Sequence, residues 1–252
     1  MNGLDWGILW PACVAGLLIT ATHVPLGTQV LDRGIVFIDL AIAQIAGLGV
    51  VLATFAGFEP QGWAVQACAL SAALAGALGL TWTDKRWPEV QEAMIGVTFI
   101  LAASGALLLL AKNPHGGEHL RELLVGQILW VRPGTLPLVA IAYGLLLAFI
   151  MTRGPRVGHT AFYVSFAIAV TISVQLVGLY LVFTTLIVPA LATRRMRRHR
   201  LAAAYGLSAV GYVLGLVVSA VTDLPSGPAI VWVMAALAVP VFALSGRARL
   251  FA

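Results

Sequence analysis

The stretch Val157-GHTAFYVSFAIAVTISVQLVGLYLVFTTLIVPALA-Thr193 runs for 37 residues without an ionised side chain, and how it crosses the membrane decides the fold. As one straight helix it would extend about 55 Å at ~1.5 Å per residue, nearly twice the ~30 Å of hydrocarbon in a bilayer. Two outcomes are open: a single long helix that overshoots, or a break near Val177-Gly178 that sends the chain back. The segments on either side are of the same kind. Charge-free stretches cover 6–31, 40–58, 60–83, 93–111, 133–152, 201–222 and 224–246, each near the ~20 residues that a transmembrane helix needs.

Basic residues choose between the two outcomes, because a reversal moves every earlier loop to the other side of the membrane. Five arginines lie in the run Arg194 to Arg200, and Arg247 and Arg249 close the chain. Lys and Arg collect on the cytoplasmic side. A single crossing by 157–193 leaves 10 basic residues inside and 5 outside; a double crossing brings Arg33, Lys85, Arg86, Arg153 and Arg156 in, for 12 against 3. The double crossing is therefore expected. It predicts nine membrane segments with the N-terminus outside and the C-terminus cytoplasmic, or eight if Leu179–Ala192 only re-enters.

Composition agrees. Of 252 residues, 60% are hydrophobic and 10% charged, against roughly half and a quarter in an ordinary soluble domain. Mean hydropathy is +0.97, and apolar residues extend from Trp6 to Leu250, so a soluble domain and a disordered segment are both excluded. The first apolar stretch has no basic residue ahead of it and reads as the first span, not a cleaved signal peptide. Cys13 and Cys68 lie in apolar stretches without CxxC spacing, as packing residues do. No tandem repeat or linker divides the chain, so 1–252 is expected to form one all-α polytopic domain. Gly211-x-x-x-Gly215 and Gly76/Gly79 read as places where helices approach closely. The net charge of +5 is a membrane-face signal, and no nucleic-acid partner is implied.

Polar residues within the spans narrow the function. Asp39 is in the second span, where an ionisable group is expensive. It either faces the path of a cation or pairs with a neighbouring helix close to the cytoplasmic end. Gln44 is five residues on and points about 140° away, so the two do not share a tight face. His115, Glu118, His119 and Glu122 form the densest group of potential metal ligands, in a loop whose Pro114 and Gly116-Gly117 argue against a continuous helix. A solvated loop with incidental histidines is the alternative. No GxxxxGK[ST] occurs, so ATP use belongs to another polypeptide. All five histidines read as lying at span ends or in loops, and no enzyme is expected.

Four motifs carry a resemblance. Val174-QLVGLYLVFTTLIVPALAT-Arg194 has a valine-glycine break, an aliphatic run, a Pro-Ala pair and a closing arginine. Glu92-AMIG-Val97, Leu124-VGQI-Leu129 and Asp223-LPSGPAI-Val231 accompany it in order. Over nearly its whole length the chain resembles the membrane permease subunits of the ATP-binding-cassette importers for zinc, manganese and iron. That resemblance implies a type II ABC importer permease-like bundle of about eight or nine transmembrane segments in a bacterial cytoplasmic (inner) membrane. It implies a homodimer, two copies of a cytoplasmic ATP-binding subunit, an extracytoplasmic metal-binding protein, and no tightly bound cofactor beyond the divalent metal in transit. The family's second span carries Asp-x-Leu-Ala-His/Ser. Here the stretch is Asp39-LAIA-Gln44, with Gln44 in the histidine's place and the aspartate displaced by one; carboxamide oxygen is a harder, neutral ligand than imidazole, which leaves manganese or another ion open beside zinc. The metal path is expected to include Asp39, Gln44, His115, Glu118, His119 and Asp223. Arg153, Gly154, Arg156, Gly158 and Arg194 are expected to couple to the ATPase. A secondary cation transporter and an ABC permease for a metal chelate are the alternatives.

Overall fold

The computed structural model describes residues 6–59, 62–110, 128–153, 158–196 and 198–247. Among them are nine α-helices and no strand: α1 (Trp6–Arg33), α2 (Ile38–Phe55), α3 (Trp63–Arg86), α4 (Gln91–Leu110), α5 (Leu136–Arg153), α6 (His159–Val177), α7 (Leu179–Thr193), α8 (Arg200–Thr222) and α9 (Ser226–Arg247). Eight have the length and hydropathy to cross a membrane; α7, with 15 residues, does not.

The 37-residue stretch does break. Gly178 stands between α6 and α7 with φ 83° and ψ 164°, a conformation in which a Cβ is penalised. The chain also reverses there. At the end of α1, the Arg33 guanidinium lies 4.4 Å from the centroid of the Phe162 ring, near the start of α6. Beyond the end of α7, Arg200 lies 3.6 Å from Asp32. The start of α6 and the end of α7 are thus at one end of the bundle, where α1 also finishes. The ends of α3 and α9 join them, through Lys85 Nζ donating to Thr160 Oγ1 at 3.2 Å and Ser245 Oγ donating to Ala192 O at 3.4 Å.

This end is the basic face: Arg33, Lys85, Arg86, Arg194, Arg195, Arg198 and Arg200 all belong to it. Arg132, ahead of α5, is at the opposite end. The charge separation that favours a reversal is therefore present in three dimensions, and the segment count resolves into eight full spans and one short returning helix.

Helix α7 extends only about 22 Å, less than the hydrocarbon thickness. Eleven of its 15 residues are buried, so protein, not lipid, surrounds the interrupted backbone, as a membrane interior requires. Helices α6 and α2 are likewise the most enclosed of the spanning set, and α4, α5 and α9 the most exposed.

Small residues set the spacing. A Cβ on Gly215 would lie 2.5 Å from Ile230 Cα and one on Gly211 3.0 Å from Met234 Cγ, so the Gly-x-x-x-Gly of α8 is the seat of α9. Gly76 faces Ile45 in the same way, at 2.4 Å, whereas Gly79 meets nothing within 4 Å. Hydrogen bonds knit α1 to α8: Thr20 Oγ1 is 2.8 Å from Ser208 Oγ, and Tyr205 OH donates to Ala21 O at 3.0 Å.

Candidate functional site

Asp39 stands in the first turn of α2, fully buried, close to the basic face. Neither carboxylate oxygen has a hydrogen-bond partner among the described residues. The N–H groups of Asp39 and Leu40, in its own helical turn, lie close to the carboxylate. Among the described residues, no pairing of Asp39 with a neighbouring helix is formed. A carboxylate removed from water without a counter-charge is costly, and a proton or a metal cation would relieve that cost.

Gln44 is half-buried one and a half turns further along α2, about 7.5 Å up the axis and on another side of the helix. Asp223 is exposed and caps the end of α8 in the left-handed conformation, φ 55°. Since α8 starts at the basic face, Asp223 belongs to the opposite mouth. The three expected ligands are therefore spread along the depth of the bundle and do not meet. Among the described residues, no three His, Cys, Asp or Glu side chains gather to hold a metal ion together. His115, Glu118, His119 and Glu122 lie outside the described residues, as do Gly154 and Arg156.

Of the other coupling residues, Arg153 ends α5, Gly158 precedes α6, and Arg194 follows α7, exposed at the basic face. The start of α6 is fastened to the end of α3: His159 Nδ1 hydrogen-bonds Asp84 Oδ2, beside the Lys85–Thr160 bond. A second fastening lies beneath it. Gln91 Nε2 donates to Leu80 O and to Tyr163 OH, each at 3.0 Å, while Gln91 Oε1 accepts from Thr83 Oγ1 at 2.8 Å. One carboxamide joins α3, α4 and α6. Glu92 beside it accepts from Phe37 N at 3.4 Å, tying α4 to the lead-in of α2.

One histidine departs from the expectation that all five lie at span ends or in loops. His23 is in the body of α1 and fully buried. Searching for spans by the absence of ionised residues conceals it, because a neutral imidazole does not interrupt a charge-free stretch. Its position inside 6–31 was the available signal. Around the same depth are buried hydroxyls: Thr185 Oγ1 is 2.8 Å from Tyr212 OH, Tyr143 OH is bonded to Ser173 Oγ, and Thr171 Oγ1 has no partner among the described residues.

Residues 5–157 and 154–245 match the ABC 3 transport family. Among curated proteins, an uncharacterized membrane protein of Synechocystis is 26% identical over 92% of this chain and 89% of its own length. The high-affinity zinc uptake system membrane protein ZnuB of Haemophilus influenzae is 23% identical over 89% of this chain and 92% of its own. Among solved structures, PsaBC from Streptococcus pneumoniae in complex with Fab superposes with a TM-score of 0.75 at 19% identity, covering 93% of this chain and 91% of that one. An inward-facing metal-chelate type ABC transporter gives 0.68 at 14% identity, covering 94% and 85%. The bundle is thus of the permease type that the four sequence motifs imply, with match and superposition extending over almost every described helix. The chain belongs to the ABC 3 transport family.

Proposed function

We propose that the chain is the membrane permease of an ATP-driven importer for a divalent metal ion, zinc or manganese, working as a homodimer. Two copies of a cytoplasmic ATP-binding subunit bind its basic face, and an extracytoplasmic metal-binding protein delivers the ion to the mouth that carries Asp223. The basic face is cytoplasmic, in keeping with the positive-inside rule. The observation that carries this reading is Asp39: a fully buried carboxylate without a partner among the described residues, in a membrane bundle. The zinc assignment draws on the ZnuB relative.

Donors spread along a path suit conduction better than a closed cage, because a transit site must bind weakly enough to release. Alternating access needs only a rigid-body motion that opens one mouth as the other closes. ATP binding at the partner would drive it through Arg153, Gly154, Arg156, Gly158 and Arg194. Membership of an ABC family favours this over a secondary transporter.

Asp39→Asn removes the charge at nearly constant volume. The expected result is loss of ⁶⁵Zn or ⁵⁴Mn accumulation with the protein still present in the membrane and still bound to its ATPase. Normal accumulation would refute the role. A second reading is favoured by the metal-chelate type neighbour: if cells take up a chelated metal and ignore the free ion, the path serves a chelate.

A further inference from the structure

We propose that Nε2 of His23 is a ligand for the metal ion midway along its path, an inference that rests on the permease reading above and identifies a second donor for the same cargo. His23 is ten residues before Arg33 at the end of α1, so it stands about 15 Å in from the basic face, deep in the bundle. It is fully buried, and Nε2 has no hydrogen-bond partner among the described residues.

The other ring nitrogen fixes the chemistry. Nδ1 is 3.2 Å from Ile19 O and 3.0 Å from Thr22 Oγ1. The Thr22 hydroxyl itself donates to Ile19 O at 3.1 Å. A carbonyl oxygen only accepts, so the contact to Ile19 O is a hydrogen bond in the tautomer that carries its proton on Nδ1. Nε2 then holds the bare lone pair. This is the arrangement in which metal-ligating histidines are held, one ring N–H given to a carbonyl so that tautomer and ring plane are set and the free nitrogen faces the ion.

Buried polar atoms are overwhelmingly paired, so an orphaned ring nitrogen is unusual for an imidazole kept only for packing. Within a bilayer the cost of an unmet nitrogen is not relieved by water. A lone neutral imidazole favours late first-row divalent ions such as zinc, iron and nickel over magnesium and calcium, which prefer oxygen. It also holds them loosely, as a conduit needs. His23 is one turn before Gly27, on the side of α1 that Gly27 packs against Leu186 and Ala190 of α7. Passage of the ion past Nε2 would require α1 and α7 to separate at this contact.

The test is made in cells whose own copy of the gene carries the substitution. His23→Asn keeps an N–H for Ile19 O and deletes Nε2; His23→Cys supplies a different soft donor. The initial rate of zinc uptake is expected to fall about tenfold or more in the Asn variant and to recover, at least in part, in the Cys variant, with equal amounts of protein in the membrane. Wild-type uptake by His23→Asn, under conditions in which the separate Asp39→Asn variant takes up none, overturns the role of His23 and leaves the permease reading standing. Uptake that does not depend on the chain at all defeats the permease reading itself. If His23→Asn does not reach the membrane, the wild-type chain labelled with ¹⁵N-histidine, in complex with its ATP-binding subunit and turning over ATP, is titrated with Co²⁺. Selective paramagnetic broadening of a buried Nδ1–H imidazole supports the proposal, and an unperturbed signal overturns it.

Discussion

Gly27 of α1 and Leu186 of α7 touch through their backbones: a Cβ on Gly27 would lie 1.9 Å from Leu186 O and 3.4 Å from Ala190 Cβ. No rotamer relieves a collision with a carbonyl oxygen, so Gly27→Ala must push the two helices apart. Overpacking of this kind costs roughly 1–3 kcal/mol. The melting temperature of the purified protein in detergent, followed by tryptophan fluorescence, is expected to fall. Gly79→Ala serves as the control, since nothing lies within 4 Å of its Cβ position. Equal melting of the two variants would mean that α1 and α7 are not in contact.

The Gln91 clamp gives a second test. Its carboxamide meets Leu80 O, Tyr163 OH and Thr83 Oγ1, and Gln91 itself is buried. Gln91→Ala leaves those groups without their partner where water is scarce. A loss of about 1–3 kcal/mol is expected, read as a lower unfolding midpoint in denaturant. Tyr163→Phe removes only one of the bonds and is expected to cost less, about 0.6 kcal/mol, the average found for hydrogen bonds between membrane helices. A loss from Tyr163→Phe as large as from Gln91→Ala would show that the carboxamide is not the hub.

Orientation is checked chemically. In a background with Cys13→Ala and Cys68→Ala, a membrane-impermeant maleimide added to intact spheroplasts is expected to label Asp223→Cys and to leave His199→Cys unlabelled until the membrane is opened. Both positions are exposed, at opposite ends of the bundle. The reverse pattern would turn the basic face outward and remove the ATPase from it.

The sequence carried the architecture further than it carried the site, for physical reasons. Span length and charge are one-dimensional quantities: a 37-residue apolar stretch is too long for the bilayer whatever surrounds it, and glycine at its centre marks the place to turn. The same holds for Gly211 and Gly215, whose spacing places both on one face of α8. Asp39 was recognisable by its charge in a span. Its lack of a partner among the described residues was not, because partners come from other helices. His23 is hidden in the sequence because a neutral ring does not interrupt an apolar run, and its orphaned nitrogen exists only once Ile19 O and Thr22 have claimed the other one. The joining of α3 to α6 through Asp84 and His159 was equally beyond the sequence, since the two residues are 75 positions apart.

That tie between α3 and α6 supports the last prediction. His159 is more than half exposed and Asp84 largely covered, with side-chain exposures of 57% and 14%, and Lys85 adds a bond to Thr160 at 3.2 Å. Exposed pairs of this kind contribute only about 0–1 kcal/mol to stability, so Asp84→Ala and Thr160→Val are expected to shift the melting temperature little. Their position matters more than their strength. The residues just before α6 are the ones assigned to ATPase contact, and a push on them reaches the membrane helices only if the start of α6 is held to something rigid. With the tie cut, the push is absorbed locally. The double variant, reconstituted with its ATPase, is therefore expected to hydrolyse ATP at close to the wild-type rate while moving less metal per ATP. An unchanged ratio of metal moved to ATP hydrolysed would show that the α3–α6 tie is structural alone and that the stroke enters by another helix.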